Sequence, residues 1–154
     1  MKLTLSSLLL GFLVLTSACA GGTVYALDSG NPSSVARIIG DASATECPNG
    51  GVVLGYFRPA SNTITMCQND RIRTSTLLNT LMHEGWHAVQ DRCTHRPVFS
   101  DREIKRLLKP SDRREIRKFY PASQHRAEAE ARAVANHYDT DPYGYAELIR
   151  RHCA

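Results

Sequence analysis

A chain of 154 residues has room for one domain with one core and little more. An apolar fraction of 42% and a charged fraction of 22% exclude both a disordered chain and a multi-span membrane protein. The net charge of +4 comes mostly from arginines between Arg102 and Lys118. Asp101, Glu103, Asp112 and Glu115 are interleaved with them as on a solvated helix face, so no nucleic-acid surface is read there.

Residues 1–20 depart from that average. Lys2 precedes an uncharged, Leu-rich run from Leu3 to Leu15, then small residues at Thr16-Ser17-Ala18-Cys19-Ala20. The run is short for a permanent bilayer helix and reads as an export signal. Ala18-Cys19-Ala20 suits ordinary signal peptidase. Ser17-Ala18-Cys19 resembles a bacterial lipobox that would attach the protein to a membrane through lipidated Cys19, with Thr16 where that pattern usually has Leu. Either cleavage places the body of the protein outside the cytoplasm, in the periplasm or beyond the cell.

Residues 21–34, rich in Gly, Ser, Asn and Pro, read as a flexible tether. Val35, Ile38 and Ile39 stand at helical spacing, so a short helix is expected over Val35 to Ala44, before the turn Cys47-Pro-Asn-Gly-Gly51. Val52 to Phe57 and Thr63 to Cys67 are two β-rich runs separated by Pro, Ser and Asn, the pattern of an antiparallel hairpin. In the second, Ile64 and Met66 alternate with Thr63, Thr65 and Cys67, the period of a half-buried strand, and a strand with one wet face could also be an exposed sheet edge.

From about Ser75 to Arg92 runs the longest predicted helix, with Thr74 or Ser75 as its N-cap. It contains His83-Glu84-Gly85-Trp86-His87. At about 100° per residue His87 falls about 40° from His83, so both imidazoles leave one face one turn apart, as a shared metal ion requires. Leu78, Leu81, Met82, Gly85, Ala88 and Val89 fall on roughly the opposite face and predict how the helix packs. Glu84 lies beside the histidines, placed to take a proton from a zinc-bound water without being a ligand.

Short helices are expected near Arg102 to Leu108 and Asp112 to Phe119, punctuated by Pro110 and Pro121. An Ala-rich helix, Gln124 to Tyr138, and a last one, Tyr143 to His152, follow. Zinc needs a third protein ligand, and the Ala-rich helix could bring a carboxylate close to the central helix on its small residues at 127, 129, 131, 133 and 135. Glu128, Ala131, Ala135 and Tyr138 share one stripe, while Glu130, Ala133, Val134 and His137 share another. Periodicity leaves Glu128 and Glu130 open. His125, His137, Tyr120, Tyr138 and Tyr143 are candidate donors to a developing oxyanion, and none is singled out.

Of five cysteines, Cys19 belongs to the signal region, which leaves Cys47, Cys67, Cys93 and Cys153. They lack the Cys-x-x-Cys pairs of a four-cysteine zinc site and are expected as two disulfides. Three pairings are possible and the sequence does not choose between them; the one favoured is Cys47–Cys67, clamping the hairpin, with Cys93–Cys153 tying the C-terminus to the end of the central helix.

The HEGWH segment followed by Glu128-x-x-Ala131-x-x-x-Ala135 resembles the gluzincin-type zincins and, in local pattern, the ImmA/IrrE-like minimal metallopeptidases. That resemblance implies an α+β, zincin-like fold, mainly helical with a small antiparallel sheet before the active-site helix, over residues 35–154. It also implies that His83, His87 and Glu128 bind Zn2+, that Glu84 is the base, and that the Thr63 to Met66 edge holds an extended substrate. The expectation is a monomeric, exported zinc metallopeptidase acting on a protein or peptide. Its alternatives are a non-catalytic exported zinc-binding lipoprotein on the same scaffold and a cell-wall amidase.

Overall fold

The structure, a computed structural model, describes residues 23–24, 35–40, 47, 53–67 and 73–153. The expected signal peptide, Cys19 and most of the tether lie outside them. Within the tether, Thr23–Val24 forms a two-residue strand, β1, where no element was expected.

Helical spacing misreads the segment after it. Arg37–Gly40 is a strand, β2, and no helix forms over residues 35–40. Three apolar residues over five positions fit either period, and the adjacent β-branched Ile38 and Ile39 favour a pleated strand once a partner is available. That partner is distant in sequence: Ile38 pairs with Ile64 in parallel register.

The hairpin forms as read, with β3 at Gly55–Arg58 and β4 at Thr63–Met66, antiparallel and in register Tyr56↔Thr65. A turn of 3-10 helix, Pro59–Ser61, joins them. Asn62 closes it at φ 48°, a left-handed conformation that Asn tolerates better than most residues. The sheet order is β1-β2-β4-β3. The sheet is therefore mixed, not antiparallel throughout, and Thr63–Met66 is a central strand, not an edge. With strands on both sides, all four of its residues are buried, Thr63 and Thr65 included. Among the described residues the edge strand next to the central helix is β3.

The central helix, α1, spans Thr74–Val89. Arg73 stands at its N-cap without a side-chain cap, so the expected Thr74 or Ser75 cap is displaced into the first turn. Met82, Ala88 and Val89 enter the core with Ile64, Met66 and Ile38 of the sheet. Trp86, which the wheel did not put on the packed face, is 0% exposed and stacks near Phe99 and His152, so α1 is covered on more than one side. Gly55 is where β3 meets the helix: a Cβ there would lie 2.9 Å from Thr80 Cγ2 and 3.1 Å from Thr65 O.

After α1 the backbone widens into a π turn, Gln90–Thr94, ending on His95 at φ 54°. Helices α2 (Asp101–Leu107) and α3 (Pro110–Phe119) follow. The first carries a Ser100/Glu103 capping box and the second has Pro110 in its first turn, so Pro110 begins that helix. Helix α4, His125–Tyr138, packs along α1, and α5, Pro142–Cys153, closes the fold.

The alanines of α4 divide by face. Ala131 and Ala135 join the core with α1, whereas Ala129 and Ala133 meet Ile104, Leu108 and Ile116 of the two short helices. Residues two apart point to different sides of a 3.6-residue helix, so the five could not all serve the approach to α1. The disulfides are Cys47–Cys67 and Cys93–Cys153, the favoured one of the three possible pairings. Two such bonds mark an oxidising compartment. Among the described residues no helix is long and apolar enough to cross a membrane.

Candidate metal centre

Helical spacing sets the two histidines one turn apart, and α4 brings a carboxylate to them. The His83 and His87 rings meet edge to face with centroids 4.7 Å apart, and their Nε2 atoms are 3.1 Å apart. Glu128 reaches across from α4: its Oε2 lies 3.4 Å from His83 Nε2 and its Oε1 lies 3.3 Å from His87 Nε2. Glu84 stands further off, its Oε1 4.0 Å from His83 Nε2, while its Oε2 accepts the backbone N–H of Phe57 at 2.9 Å. His83, Glu84 and His87 form a group able to hold a metal ion.

The donor atoms test that reading. Ligands about 2.0–2.1 Å from one zinc ion in a tetrahedron lie about 3.3 Å from one another. The two imidazole nitrogens stand 3.1 Å apart, and each has one Glu128 oxygen beside it, at 3.4 Å for His83 and 3.3 Å for His87. Glu128 Oε2 is buried without a hydrogen-bond partner among the described residues, the condition of an acceptor waiting for a cation. Imidazole with carboxylate also suits copper, iron or nickel, so the donors alone do not name the metal.

Charge is already focused here. Burial works to raise the pKa of Glu128, but the adjacent His83 and His87 imidazoles overrule it and hold the carboxyl at about 2. Burial likewise opposes charge on His87, yet Glu128, and after it Glu84, raise its pKa above 6.5.

Glu130, the rival third ligand, is elsewhere. Fully buried, it accepts from Val98 N and Phe99 N at 2.7 and 2.6 Å and from Gln90 Nε2 at 2.7 Å. Gln90 in turn meets His87 Nδ1 through Oε1 at 2.9 Å, a partner the sequence reading missed. Its position three residues after His87, on the same helical side, was the available signal.

Around the cluster opens a cleft of about 620 Å3, walled by β3 residues Gly55 to Phe57 on one side and by His95, Pro97 and Tyr120 on the other. Of the candidate oxyanion donors only Tyr120 lines it. Burial raises its pKa, as do the charges of Glu128 and Glu84, against the opposing Arg132, so the phenol keeps its proton. His125 contacts the Tyr120 carbonyl, His137 stacks on Tyr138, Tyr138 packs against the core beside Tyr145, and Tyr143 is exposed.

The β3 edge also faces the cleft. Cys67 N donates to Leu54 O, and alternation along an antiparallel pair then turns Tyr56 and Arg58 toward β4 and the polar backbone groups of Gly55 and Phe57 outward. The Phe57–Glu84 bond agrees with that register.

No protein-family model matches the chain, and no curated protein or solved structure matches it either.

Proposed function

We propose that this chain is an exported zinc-dependent metallopeptidase of the gluzincin type, with His83, His87 and Glu128 holding the metal and Glu84 as general base. The observation that carries the reading is the convergence of two imidazole nitrogens and one carboxylate at 3.1–3.4 Å, with a second, non-converging carboxylate beside them. Bound there, zinc supplies Lewis acidity that lowers the pKa of a water to about 7 and polarises a carbonyl.

The chain's own groups do the rest. The β3 edge offers Gly55 N–H and C=O and Phe57 C=O to an extended peptide backbone, the chemistry of β-strand addition. Glu84, steadied by Phe57 N–H, takes a proton from the attacking water and returns it to the leaving nitrogen. Tyr120 donates its phenolic hydrogen to the carbonyl oxygen as that oxygen gains charge. The disulfides support action outside the cytoplasm.

The test is cleavage of unfolded proteins by the purified, zinc-loaded chain. Glu84→Gln is expected to keep zinc and lose about 10²- to 10⁴-fold in kcat. Full activity in that variant overturns the mechanism. Stoichiometric zinc without cleavage of unfolded proteins or peptidoglycan fragments favours a non-catalytic zinc-binding protein instead.

A further inference from the structure

We infer that Glu130, acting through the Gln90 side-chain amide, is a positioning residue that fixes His87 in the tautomer whose Nε2 carries a lone pair. The inference rests on the metal-site reading above, and it is built from the chain of hydrogen bonds that runs from Glu130 through Gln90 to His87 Nδ1.

The Gln90 amide nitrogen faces two oxygens, Glu130 Oε2 at 2.7 Å and Ala127 O at 3.2 Å. A carboxylate and a backbone carbonyl only accept, so the amide NH2 must face them and Gln90 Oε1 must face His87 Nδ1 at 2.9 Å. An amide oxygen also only accepts. Nδ1 therefore bears the hydrogen, and in the neutral ring Nε2 is left as the lone pair that a metal needs. Amide orientation is often ambiguous, but here the pair of acceptors decides it.

Glu130 is held in its turn. Backbone N–H groups of Val98 and Phe99 donate to its Oε1, and its side chain is 0% exposed, so the carboxylate cannot swing away. The buried acid that competed with Glu128 for the ligand role thus aligns a ligand instead. His83 has no such support: its Nδ1 is buried without a hydrogen-bond partner among the described residues. Opposite a bare His87 Nε2 at 3.1 Å and Glu128 Oε2 at 3.4 Å, His83 Nε2 meets acceptors only and carries its ring hydrogen. The two histidines should then be opposite tautomers.

Nitrogen-15 NMR of the labelled, metal-free chain, at alkaline pH where both rings are neutral, reads the tautomers directly. The expected result is Nδ1–H for His87 and Nε2–H for His83. In Glu130→Gln the new NH2 faces that of Gln90, the Gln90 amide turns over, and His87 shifts toward Nε2–H. Zinc affinity falls about 10- to 100-fold, while the melting temperature moves little. The exchange Q90E with E130Q restores an acceptor opposite Nδ1 and should recover both the tautomer and most of the affinity, which a merely structural role for Glu130 does not predict. Gln90→Met, which leaves the Glu130 backbone bonds in place, covers the case in which Glu130→Gln fails to fold; it should give a mixture of His87 tautomers. Nε2–H on His87 in the parent, or an unchanged tautomer in the folded variants, overturns the inference. The expected tautomers in a parent that binds no zinc overturn the metal-site reading and leave the relay standing.

Discussion

Glu84 and Glu128 are carboxylates of one site in two different environments. Glu128 sits between two imidazoles, which hold its pKa at about 2. Glu84 is tied to a backbone N–H and stands 4.0 Å from the nearer imidazole nitrogen. A ligand needs the first environment and a base needs the second. Tyr120 is the one candidate oxyanion donor that lines the same cleft. Tyr120→Phe should lower kcat by about 10²- to 10³-fold with zinc content and KM little changed, checked by steady-state kinetics and metal analysis. An unchanged kcat would remove Tyr120 from the mechanism. At this scale the sequence was informative where spacing along a single helix decides the geometry, as for His83, Glu84 and His87. It left Glu128 and Glu130 unresolved because the choice depends on how far α4 is rotated about its own axis, which is set by Ala131 and Ala135 packing on α1 and Ala133 on Ile104 and Ile116.

Elements position these residues through two close approaches: α4 on α1, made by small side chains, and β3 on α1, made by Gly55. Gly55→Val would set a Cβ against Thr80 and the Thr65 carbonyl. It should cost about 1–3 kcal/mol of stability, seen as a lower denaturant midpoint, and should weaken activity further by moving the Phe57 N–H from Glu84. A variant as stable as the parent would mean that β3 is free to shift, and that its edge is not a fixed template. Helices were legible because their periodic faces and Pro boundaries are local. β2 was not, since its identity as a strand is conferred by Ile38 pairing with Ile64, 26 positions away by their numbers. The same non-local pairing made β4 central and left β3 at the edge of the sheet.

On the scale of the molecule, the site couples charge to folding, and under the proposed function it couples metal binding to both. Glu128 is shifted below its ordinary value of 4.5 to about 2, so its contribution to stability is present above pH 4.5 and lost as pH falls toward 2. His87 is shifted above its ordinary 6.5, so its contribution is complete below pH 6.5 and lost as pH rises through the raised value. The metal-free chain should therefore melt highest between about pH 4.5 and 6.5. Zinc, which needs the neutral ring, should reverse the alkaline loss. Thermal melts across pH, with chelator and with zinc, check this; curves that coincide on the alkaline side would contradict it.

The central claim is that His83, His87 and Glu128 together hold one zinc ion. Its most direct measurement is the metal content of the disulfide-bonded chain by mass spectrometry under native conditions, alongside Glu128→Ala and Glu84→Gln. One zinc per chain in the parent and in Glu84→Gln, with none retained in Glu128→Ala, is the predicted result. A parent that takes up no zinc, or a Glu128→Ala variant that holds it as tightly as the parent, would contradict the account.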